Sequence, residues 1–335
     1  MENRRGDRSF VTSIDLKFTS IHCILGQVGF EVFDIVSVGH FTVDSISLPG
    51  KPESFIVLGG SVAYVALTAK CFDMSVSVIS KVGNDFPDVY FRLLEQEGID
   101  LSGVVKAEDA QTTSFKLLYS DNCSRRELWL KSRAPSIDLG DFPESLEAKI
   151  IHIAPVAGEV TCKTAERLRS CAQWLSLDPQ GLVRNFGEKG RMTLCPLSDK
   201  TILELIDIYK SSADEIKAVT SLPNLDLAVK SIHDYGVKIV IVTFGAEGAL
   251  LSTEESVRII SAYKAETFVD PTGAGDVFVG GFLAEYIRGR ELLWCMCVGS
   301  AAASLAVETI GPAPLGDKSE IHRRAQMLYD RETER

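Results

Sequence analysis

The chain has 335 residues, of which 45% are hydrophobic and 24% charged, a composition typical of a soluble globular protein. Its formal net charge of −11 argues against nucleic acid or an anionic membrane as a partner. Any anionic ligand would therefore have to be met by local donors and a divalent cation. No apolar run approaches the length of a membrane span.

Residues 1–33 precede the first predicted strand and are interpreted as an extension of unknown role. They begin with a basic cluster, Arg4, Arg5 and Arg8, but no sustained apolar run follows, so no signal peptide is expected. The eight cysteines show neither Cys-x-x-Cys pairs nor zinc-ligand spacing. A cytoplasmic protein with reduced thiols and no cysteine metal site is the corresponding expectation.

From residue 34 onward, segments rich in Val and Ile alternate with segments of helical periodicity. This alternation predicts an α/β fold, with a mostly parallel central sheet covered by helices on both faces. The apolar run at 238–243 fits a strand buried on both sides. The predicted strands are 34–39, 76–82, 149–154, 174–178 and 238–244, and the predicted helices are about 60–72, 86–97, 159–172, 199–210 and 224–235.

Two segments, about 45–57 and 111–130, break this alternation. They contain Thr, Phe, Leu, Tyr and Trp in strand-like order with no helix between them. No shift in composition marks a linker anywhere after residue 34. We therefore predict one domain, residues 34–330, into which the two segments are inserted.

The stretch from Val269 to Asp276 is the most informative part of the sequence. A predicted strand runs into a Thr-Gly-Ala-Gly turn, and the small residues at 273–275 let the backbone approach a ligand closely. Apolar residues then recur at helical spacing, so a helix is predicted to begin at the turn and to present free N–H groups to an anion. With Asp276 beside that anion, the pattern indicates phosphoryl transfer. The alternative is a simple junction in which Asp276 only caps the helix.

Neither common nucleotide motif explains this stretch: it lacks the Lys-Ser/Thr of a P-loop, and position 278 is Phe where a dinucleotide fingerprint has Gly. Residues 270–281 resemble the C-terminal signature of the ribokinase-like, or phosphofructokinase B, carbohydrate kinases. The resemblance extends from about residue 34 to 314. It implies a ribokinase-like fold in which the inserted segments form a small β-sheet lid over the acceptor site.

The resemblance also implies an ATP-dependent kinase that requires Mg²⁺. Asp276 matches the general base, which takes the proton of the acceptor hydroxyl as the new bond forms. The backbone amides of Gly273, Ala274 and Gly275 match the anion hole that holds the transferred phosphoryl group.

Acceptor residues are assigned from the N-terminal half by the same resemblance. Asp44 matches an aspartate that accepts hydrogen bonds from two acceptor hydroxyls, and the alternative is a turn aspartate that starts the lid. Gly59 and Gly60 match a diglycine that lets a helix N-terminus come close to the acceptor. Tyr64 stands where many related sugar kinases have asparagine, and it could stack on a ring or shape the pocket.

The string from Thr243 to Gly248 matches the Thr-x-Gly-x-x-Gly nucleotide loop of the family. It places Thr243, Gly245 and Gly248 in the donor site, to which we also assign Thr272. The alternative is the turn of a β-hairpin between 238–244 and 249–252.

Glu215 matches the glutamate of the family's Asn-x-x-Glu string, which helps to hold Mg²⁺ through water. Ser212 replaces the asparagine of that string.

Residues 178–184 follow a predicted strand, at the edge where ligands of open α/β sheets bind. Their sequence, Asp-Pro-Gln-Gly-Leu-Val-Arg, resembles that of the myo-inositol kinases, as does the string at 155–159. Gln180 and Arg184 are therefore assigned to the acceptor site. For Arg184 the alternative is a surface salt bridge.

The resulting hypothesis is phosphorylation of a small sugar or polyol, with myo-inositol as the first candidate. A nucleoside kinase, with Tyr64 stacking on the base, is the nearest alternative. A non-catalytic sugar-binding sensor is an alternative of another class, and ADP is an alternative donor. Because lid strands pair between subunits in such kinases, a homodimer is also expected.

Overall fold

The computed structural model describes residues 32–120, 126–312 and 318–334. The predicted extension lies outside the described residues up to residue 31, and so does part of the second lid segment, 121–125. The chain divides into two units, 1–31 and 32–335, and all described residues belong to the second.

The strands and helices of the described residues are numbered here in chain order. The strands are β1 (Phe33–Val38), β2 (Thr42–Ser47), β3 (Phe55–Gly59), β4 (Val76–Gly83), β5 (Asp100–Ala107), β6 (Ser114–Tyr119), β7 (Arg126–Ser132), β8 (Ala148–Ile153), β9 (Ala172–Leu177), β10 (Arg184–Phe186), β11 (Met192–Leu194), β12 (Ile208–Ser212), β13 (Ile239–Thr243), β14 (Ala249–Ser252) and β15 (Val257–Ile260). The helices are α1 (Ser61–Cys71), α2 (Asp88–Gln96), α3 (Cys162–Arg169), α4 (Ala213–Thr220), α5 (Leu225–His233), α6 (Ala274–Ile287), α7 (Leu292–Ala306) and α8 (Lys318–Thr333).

A nine-stranded central sheet of these residues has the order β15-β14-β13-β12-β9-β8-β1-β4-β5. Neighbours from β13 to β5 run parallel, and β14 and β15 form an antiparallel edge. The parallel strands are rich in Val and Ile because both faces are covered by helices. Residues of α1, α6, α7 and α8 pack on one face, and residues of α3, α4 and α5 pack on the other. The predicted α/β fold with helices on both faces is confirmed.

Most of the predicted elements are confirmed, with ends that differ by a few residues. The helix predicted at 199–210 is wrong. The Asp199 side chain caps a short 3-10 helix, Lys200–Leu205, and the chain then enters β12. Ile208 and Tyr209 are fully buried in β12, between β9 and β13, so sheet pairing decides the structure here.

The strand predicted to run directly into the 272–275 turn is also wrong. β15 ends at Ile260 on the edge of the sheet, and residues 261–273 form no strand. The reason is topological, because α6 lies over the middle of the sheet, near β1, β8 and β12. The chain must therefore cross from the sheet edge to the centre before α6 begins.

The predicted lid segments form a separate four-stranded sheet with the order β3-β2-β6-β7. β2 and β3 pair antiparallel, β2 and β6 pair parallel, and β6 and β7 pair antiparallel. Apolar side chains of this sheet pack against Val156 and Ala157, which follow β8, and against Phe186 at the end of β10. The packing holds the inner face of the lid beside the carboxyl ends of the central strands.

Candidate active site

The turn before α6 has the backbone conformation that the anion-site prediction requires. Gly273 has a φ of 76° and is the N-cap of the 14-residue helix α6, so the positive end of that helix faces the turn. The Ala274 N–H donates to the Pro271 carbonyl oxygen over 3.3 Å. A Cβ on Gly273 would lie only 2.3 Å from Cε1 of Tyr64. Glycine is therefore required at 273 for two reasons, its left-handed φ and the aromatic ring packed against it.

The hydroxyl of Thr272 links this turn to the lid. Thr272 Oγ1 donates to Asp270 Oδ1 over 2.6 Å, and the Thr272 N–H donates to the same oxygen over 2.9 Å. Tyr119, the last residue of β6, contacts Thr272 Oγ1 through its hydroxyl at 2.7 Å. Since the Thr272 proton goes to Asp270, the Tyr119 hydroxyl is the donor. The lid is thus hydrogen-bonded to the turn before α6, and the Thr272 hydroxyl already has two partners.

Asp276 lies in the first turn of α6, close to three side chains that are distant in sequence. Its Oδ1 accepts a hydrogen bond of 3.2 Å from Gln180 Nε2, which also donates to the hydroxyl of Ser61. Gln180 Oε1 accepts from an N–H of Arg184, whose other terminal nitrogen donates to the Val156 carbonyl oxygen. The structure therefore brings Gln180 and Arg184, which were assigned to the acceptor site from sequence, close to Asp276. It adds Ser61, which the sequence analysis missed.

The environment of Asp276 raises the pKa of its carboxyl group to about 6. Burial is the largest cause, and the charge of Asp178 acts in the same direction. The pKa is lowered in turn by the charge of Lys210, by a hydrogen bond from Ser61 and by the charge of Arg184. A carboxylate with a pKa near the working pH is suited to accept and release a proton.

Asp44 points from β2 into the same cavity as Asp276, Tyr64 and Gln180. Its side chain is buried, and Oδ1 accepts a hydrogen bond of 3.3 Å from the Phe115 N–H. Burial raises the pKa of Asp44 to about 7, opposed by the nearby Thr42 hydroxyl, by the hydrogen bond from the Phe115 N–H and by the charges of two arginines. A second buried carboxyl group, that of Asp44, therefore lines the same cavity as Asp276.

Gly59 and Gly60 have no room for a side chain, because other groups lie close to both positions. A Cβ on Gly59 would lie 2.1 Å from Asp44 Oδ2, and one on Gly60 would lie 2.2 Å from the His40 carbonyl oxygen. Gly60 has a φ of 88° and is the N-cap of α1. Both glycines therefore place Asp44 and the start of α1 beside the cavity, as predicted.

Tyr64 is more enclosed than the stacking interpretation requires. It is 4% exposed, and one part of its ring lies against Gly273. Its hydroxyl oxygen is buried and has no hydrogen-bond partner within the described residues. The geometry favours the interpretation in which Tyr64 shapes the pocket, with its hydroxyl as the group left to contact a ligand.

The predicted nucleotide loop forms the turn of the β13–β14 hairpin, and its role in binding the donor stays a prediction. Gly248 has a φ of 113°, and a Cβ there would lie 2.0 Å from the Ile260 carbonyl oxygen. Glycine at 248 therefore allows the hairpin turn to pack against the end of β15. Gly245 also has a positive φ, but no atom lies within 4 Å of a Cβ built on it. Thr243 donates its hydroxyl to the Ser211 carbonyl oxygen over 3.3 Å. Gly245 is the member of the three whose surroundings leave room for a ligand.

Glu215 and Ser212 cap α4 together. The Glu215 N–H donates to Ser212 Oγ, while Glu215 Oε2 accepts from the Ser212 N–H at 2.8 Å and from its hydroxyl at 2.7 Å. Both bonds to the carboxylate use Oε2, so Oε1 fits a role as acceptor for a Mg²⁺-bound water. Within the described residues no cluster of three His, Cys, Asp or Glu side chains could hold a metal directly.

A buried ion pair completes the site and was not predicted. Lys210 Nζ lies 2.6 Å from Asp178 Oδ2, and the two side chains are 6% and 1% exposed. Asp178 Oδ1 also accepts from the Gln180 N–H over 3.1 Å. One feature of the sequence could have revealed this pair: Lys210 lies in an apolar strand, directly after Ile208 and Tyr209. An unpaired charge at such a position is too costly to bury, so a partner had to exist.

The state of the cysteines and the presence of membrane-spanning helices were also addressed by the sequence analysis. Cysteines 162, 171, 195, 295 and 297 are free thiols. Across 32–120, 126–312 and 318–334, no helix has the length and apolar character needed to cross a membrane.

Comparisons with known proteins agree with this geometry. The family described as "pfkB family carbohydrate kinase" matches residues 33–317. The chain is 29% identical to a cytidine kinase of Thermococcus kodakarensis, over 80% of this chain and 94% of that protein. It is 28% identical to an inositol 3-kinase of Arabidopsis thaliana, over 87% and 80% respectively. A solved pyrophosphate-dependent kinase of the ribokinase family, complexed with a pyrophosphate analog and myo-inositol, has 25% identity and a TM-score of 0.72, covering 86% of this chain and 99% of that one.

Proposed function

Because the chain belongs to the pfkB family of carbohydrate kinases, a group of phosphotransferases, we propose that it transfers the terminal phosphoryl group of ATP to a hydroxyl of myo-inositol or a similar small polyol. One observation carries the proposal. Asp276 lies at the N-terminus of α6, beside the Gly273 turn, and lines the same cavity as Asp44. A base, a phosphoryl site and an acceptor anchor thus surround one small space.

In the proposed reaction, Asp44 and Arg184 hold hydroxyls of the acceptor while Asp276 accepts the proton of the reacting hydroxyl. The acceptor oxygen forms a bond to the terminal phosphorus, the bridging P–O bond breaks, and ADP leaves with the electron pair. The N–H groups of the 273–275 turn donate to the transferred phosphoryl oxygens. Bound Mg²⁺ would neutralise charge on the donor, with Glu215 holding one of its waters.

A polyol acceptor is favoured by the enclosure of Tyr64 and by the polar lining of the cavity. With the ring of Tyr64 4% exposed, too little aromatic surface is available for stacking on a base. Asp44, Gln180 and Arg184 instead offer hydrogen-bonding groups suited to several hydroxyls. The inositol 3-kinase relative and the myo-inositol complex of the solved neighbour support this choice.

A nucleoside acceptor is the second candidate, because the cytidine kinase relative is 29% identical over most of this chain. Pyrophosphate is the second candidate donor, because the solved neighbour is a pyrophosphate-dependent kinase. A matrix of donors and acceptors separates these possibilities. ATP, ADP and pyrophosphate would each be supplied with Mg²⁺ and with myo-inositol, ribose, fructose, cytidine or adenosine, and the phosphorylated product would be quantified.

Turnover of myo-inositol well above the other acceptors is the expected result. Preferred turnover of cytidine or adenosine would replace the acceptor and keep the phosphoryl-transfer chemistry. Absence of product with every pair would contradict the proposed function and favour a sugar-binding sensor.

The rate should depend on pH through the two buried carboxylates. The pKa is raised to about 7 for Asp44 and to about 6 for Asp276, and each must be ionised, the first to anchor hydroxyls and the second to accept a proton. We expect kcat/KM to be constant above about pH 8, to fall about tenfold per unit below pH 7, and to fall more steeply below pH 6. A pH profile in constant ionic strength checks this. A flat profile from pH 5 to 8 would contradict the role of Asp276.

We also propose a homodimer formed through the lid sheet and a cytoplasmic location. β3 pairs only with β2 in the described sheet, and Ile56 on it is 62% exposed. Free thiols at the five cysteines named above fit a reducing compartment. Sedimentation equilibrium, at concentrations spanning three decades, would show a single monomer mass if the dimer proposal is wrong.

A further inference from the structure

The buried lysine of β12 lies directly beneath the turn that is proposed to hold the phosphoryl group. A Cβ built on Gly275 would lie 2.7 Å from Lys210 Nζ and 3.6 Å from Lys210 Cε. The ammonium group therefore lies close to the backbone of the turn. Glycine at 275 leaves room for it, because a Cβ at that position would require the lysine to shift.

The charge balance around the cavity calls for a cation at this place. The chain carries a net charge of −11, and Asp44, Asp178 and Asp276 place three carboxyl groups in or beside the site. Arg126 and Arg184 also line the cavity, and Arg184 already donates to Gln180 and Val156. A third cation close to the 273–275 turn would further offset the carboxylates that an incoming polyphosphate meets.

Within the described residues, the hydrogen bond of the Lys210 ammonium is to Asp178, whereas an ammonium group has three N–H donors. We propose that Lys210 is a further catalytic residue, whose ammonium donates a hydrogen bond to the oxygens of the phosphoryl group that binds at the 273–275 turn. This inference rests on the proposed function and adds a residue to its donor site.

Lys210 acts in this step as a fixed charge and transfers no proton. Burial lowers its pKa, but the neighbouring carboxylates of Asp178, Asp276 and Glu215 outweigh that effect and raise the pKa above its ordinary value. The acceptor proton still goes to Asp276, and the electron pair of the broken P–O bond still leaves with the donor. Lys210 stabilises the charge that builds on the phosphoryl oxygens between these two events.

A purely structural role is the competing explanation, in which Lys210 only neutralises Asp178. The single variant Lys210→Met cannot separate the two, because it leaves the Asp178 charge buried and unpaired. The double variant Lys210→Met with Asp178→Asn removes both charges and keeps similar side-chain volumes. A structural role predicts that the double variant recovers both stability and activity, whereas a catalytic role predicts that it recovers stability alone.

The experiment compares the wild type, Lys210→Met, the double variant and the control Lys238→Met, which removes an exposed lysine paired with Asp207 on the same sheet. For each protein, the melting temperature, kcat, both KM values and the affinity for pyrophosphate by calorimetry would be measured. We expect kcat of the double variant to be about 10²–10³-fold below the wild type. We also expect pyrophosphate binding to be lost, the KM for the acceptor to be unchanged and the melting temperature to be near that of the wild type.

A double variant with kcat and pyrophosphate affinity within threefold of the wild type would overturn the role of Lys210. A wild type that turns over no acceptor would contradict the proposed function separately. In that case, loss of pyrophosphate binding in the double variant would still support an anion site at Lys210, and equal binding would overturn it.

Discussion

Replacing Asp276 by asparagine is expected to lower kcat by about 10²–10⁴-fold, the usual contribution of one general base, and to leave the fold intact. The amide keeps the size of the side chain and can still meet Gln180, which donates to Asp276 Oδ1 in the wild type. It cannot accept the proton of the acceptor hydroxyl. Because burial already raises the pKa of the carboxyl group, removing its charge does not weaken the folded state. Stopped-time product assays with saturating substrates, together with a melting curve, measure both effects.

The matched control is Asp226→Asn. Asp226 is an exposed aspartate in the first turn of α5, so its replacement removes the same favourable interaction with a helix N-terminus. We expect that control to keep wild-type turnover. A kcat for Asp276→Asn within a factor of three of the wild type would remove the central claim about the base.

Replacing Asp44 by asparagine is expected to change activity and stability in opposite directions. Two charge-assisted hydrogen bonds to acceptor hydroxyls, each worth about 1.5–3 kcal/mol, become neutral, so kcat/KM for the acceptor should fall by about 10²–10³-fold. The loss should be found mainly in the KM of the acceptor, with the KM of the donor unchanged. Titration of acceptor at fixed donor concentration measures this.

The stability change follows from the pKa of Asp44, which burial raises from 3.8 to about 7. A folded carboxyl group with a raised pKa binds its proton more tightly than the unfolded chain does. The free energy of unfolding therefore decreases as the pH rises from about 4 to 7, and the full cost is present above pH 7. Asparagine removes that cost, so the melting temperature of Asp44→Asn should exceed that of the wild type at pH 8 and approach it at pH 4.

The control for Asp44→Asn is Glu53→Gln, an exposed acid in the loop between β2 and β3. It should change neither the acceptor KM nor the melting temperature. A melting temperature of Asp44→Asn below that of the wild type at pH 8 would contradict this prediction. It would mean that the ionised carboxylate of Asp44 stabilises the folded lid.

The fold was predictable from sequence because its signals are local. Runs of Val and Ile buried on both faces identify the parallel strands, and the Gly-Ala-Gly turn identifies the start of α6. The helix predicted at 199–210 failed for two reasons: Asp199 begins a short 3-10 helix whose spacing resembles that of a longer one, and pairing with β9 and β13 then draws the chain into β12. The path from Ile260 to Gly273 could not be predicted, because it depends on where α6 packs on the sheet.

Several residues that line the cavity were assigned to the site from sequence, but Ser61 and the Lys210–Asp178 pair were missed, and the contacts between the residues were not predictable. Gln180 and Asp276 are separated by 96 positions, and Tyr119 and Thr272 by 153, yet each pair is joined by a hydrogen bond. No spacing rule links such pairs, because the link is made by the register of the lid and by the order of the central strands. For Lys210, the sequence could have shown one of these two things and not the other. Its position in an apolar strand showed that it needed a partner, whereas its closeness to Gly275 required the structure.

The contact between Tyr64 and Gly273 limits how this chain can diversify. Any side chain at 273 would meet the ring of Tyr64, so a substitution there is tolerable only after position 64 has accepted a smaller residue. A smaller residue at 64 would in turn enlarge the cavity beside Asp44 and change which acceptors fit. A lineage that explores new acceptors through position 64 can keep Gly273, whereas a lineage that first changes Gly273 disturbs the turn that is proposed to hold the phosphoryl group. Mutational paths toward new specificity should therefore begin on α1 and leave the turn before α6 as it is.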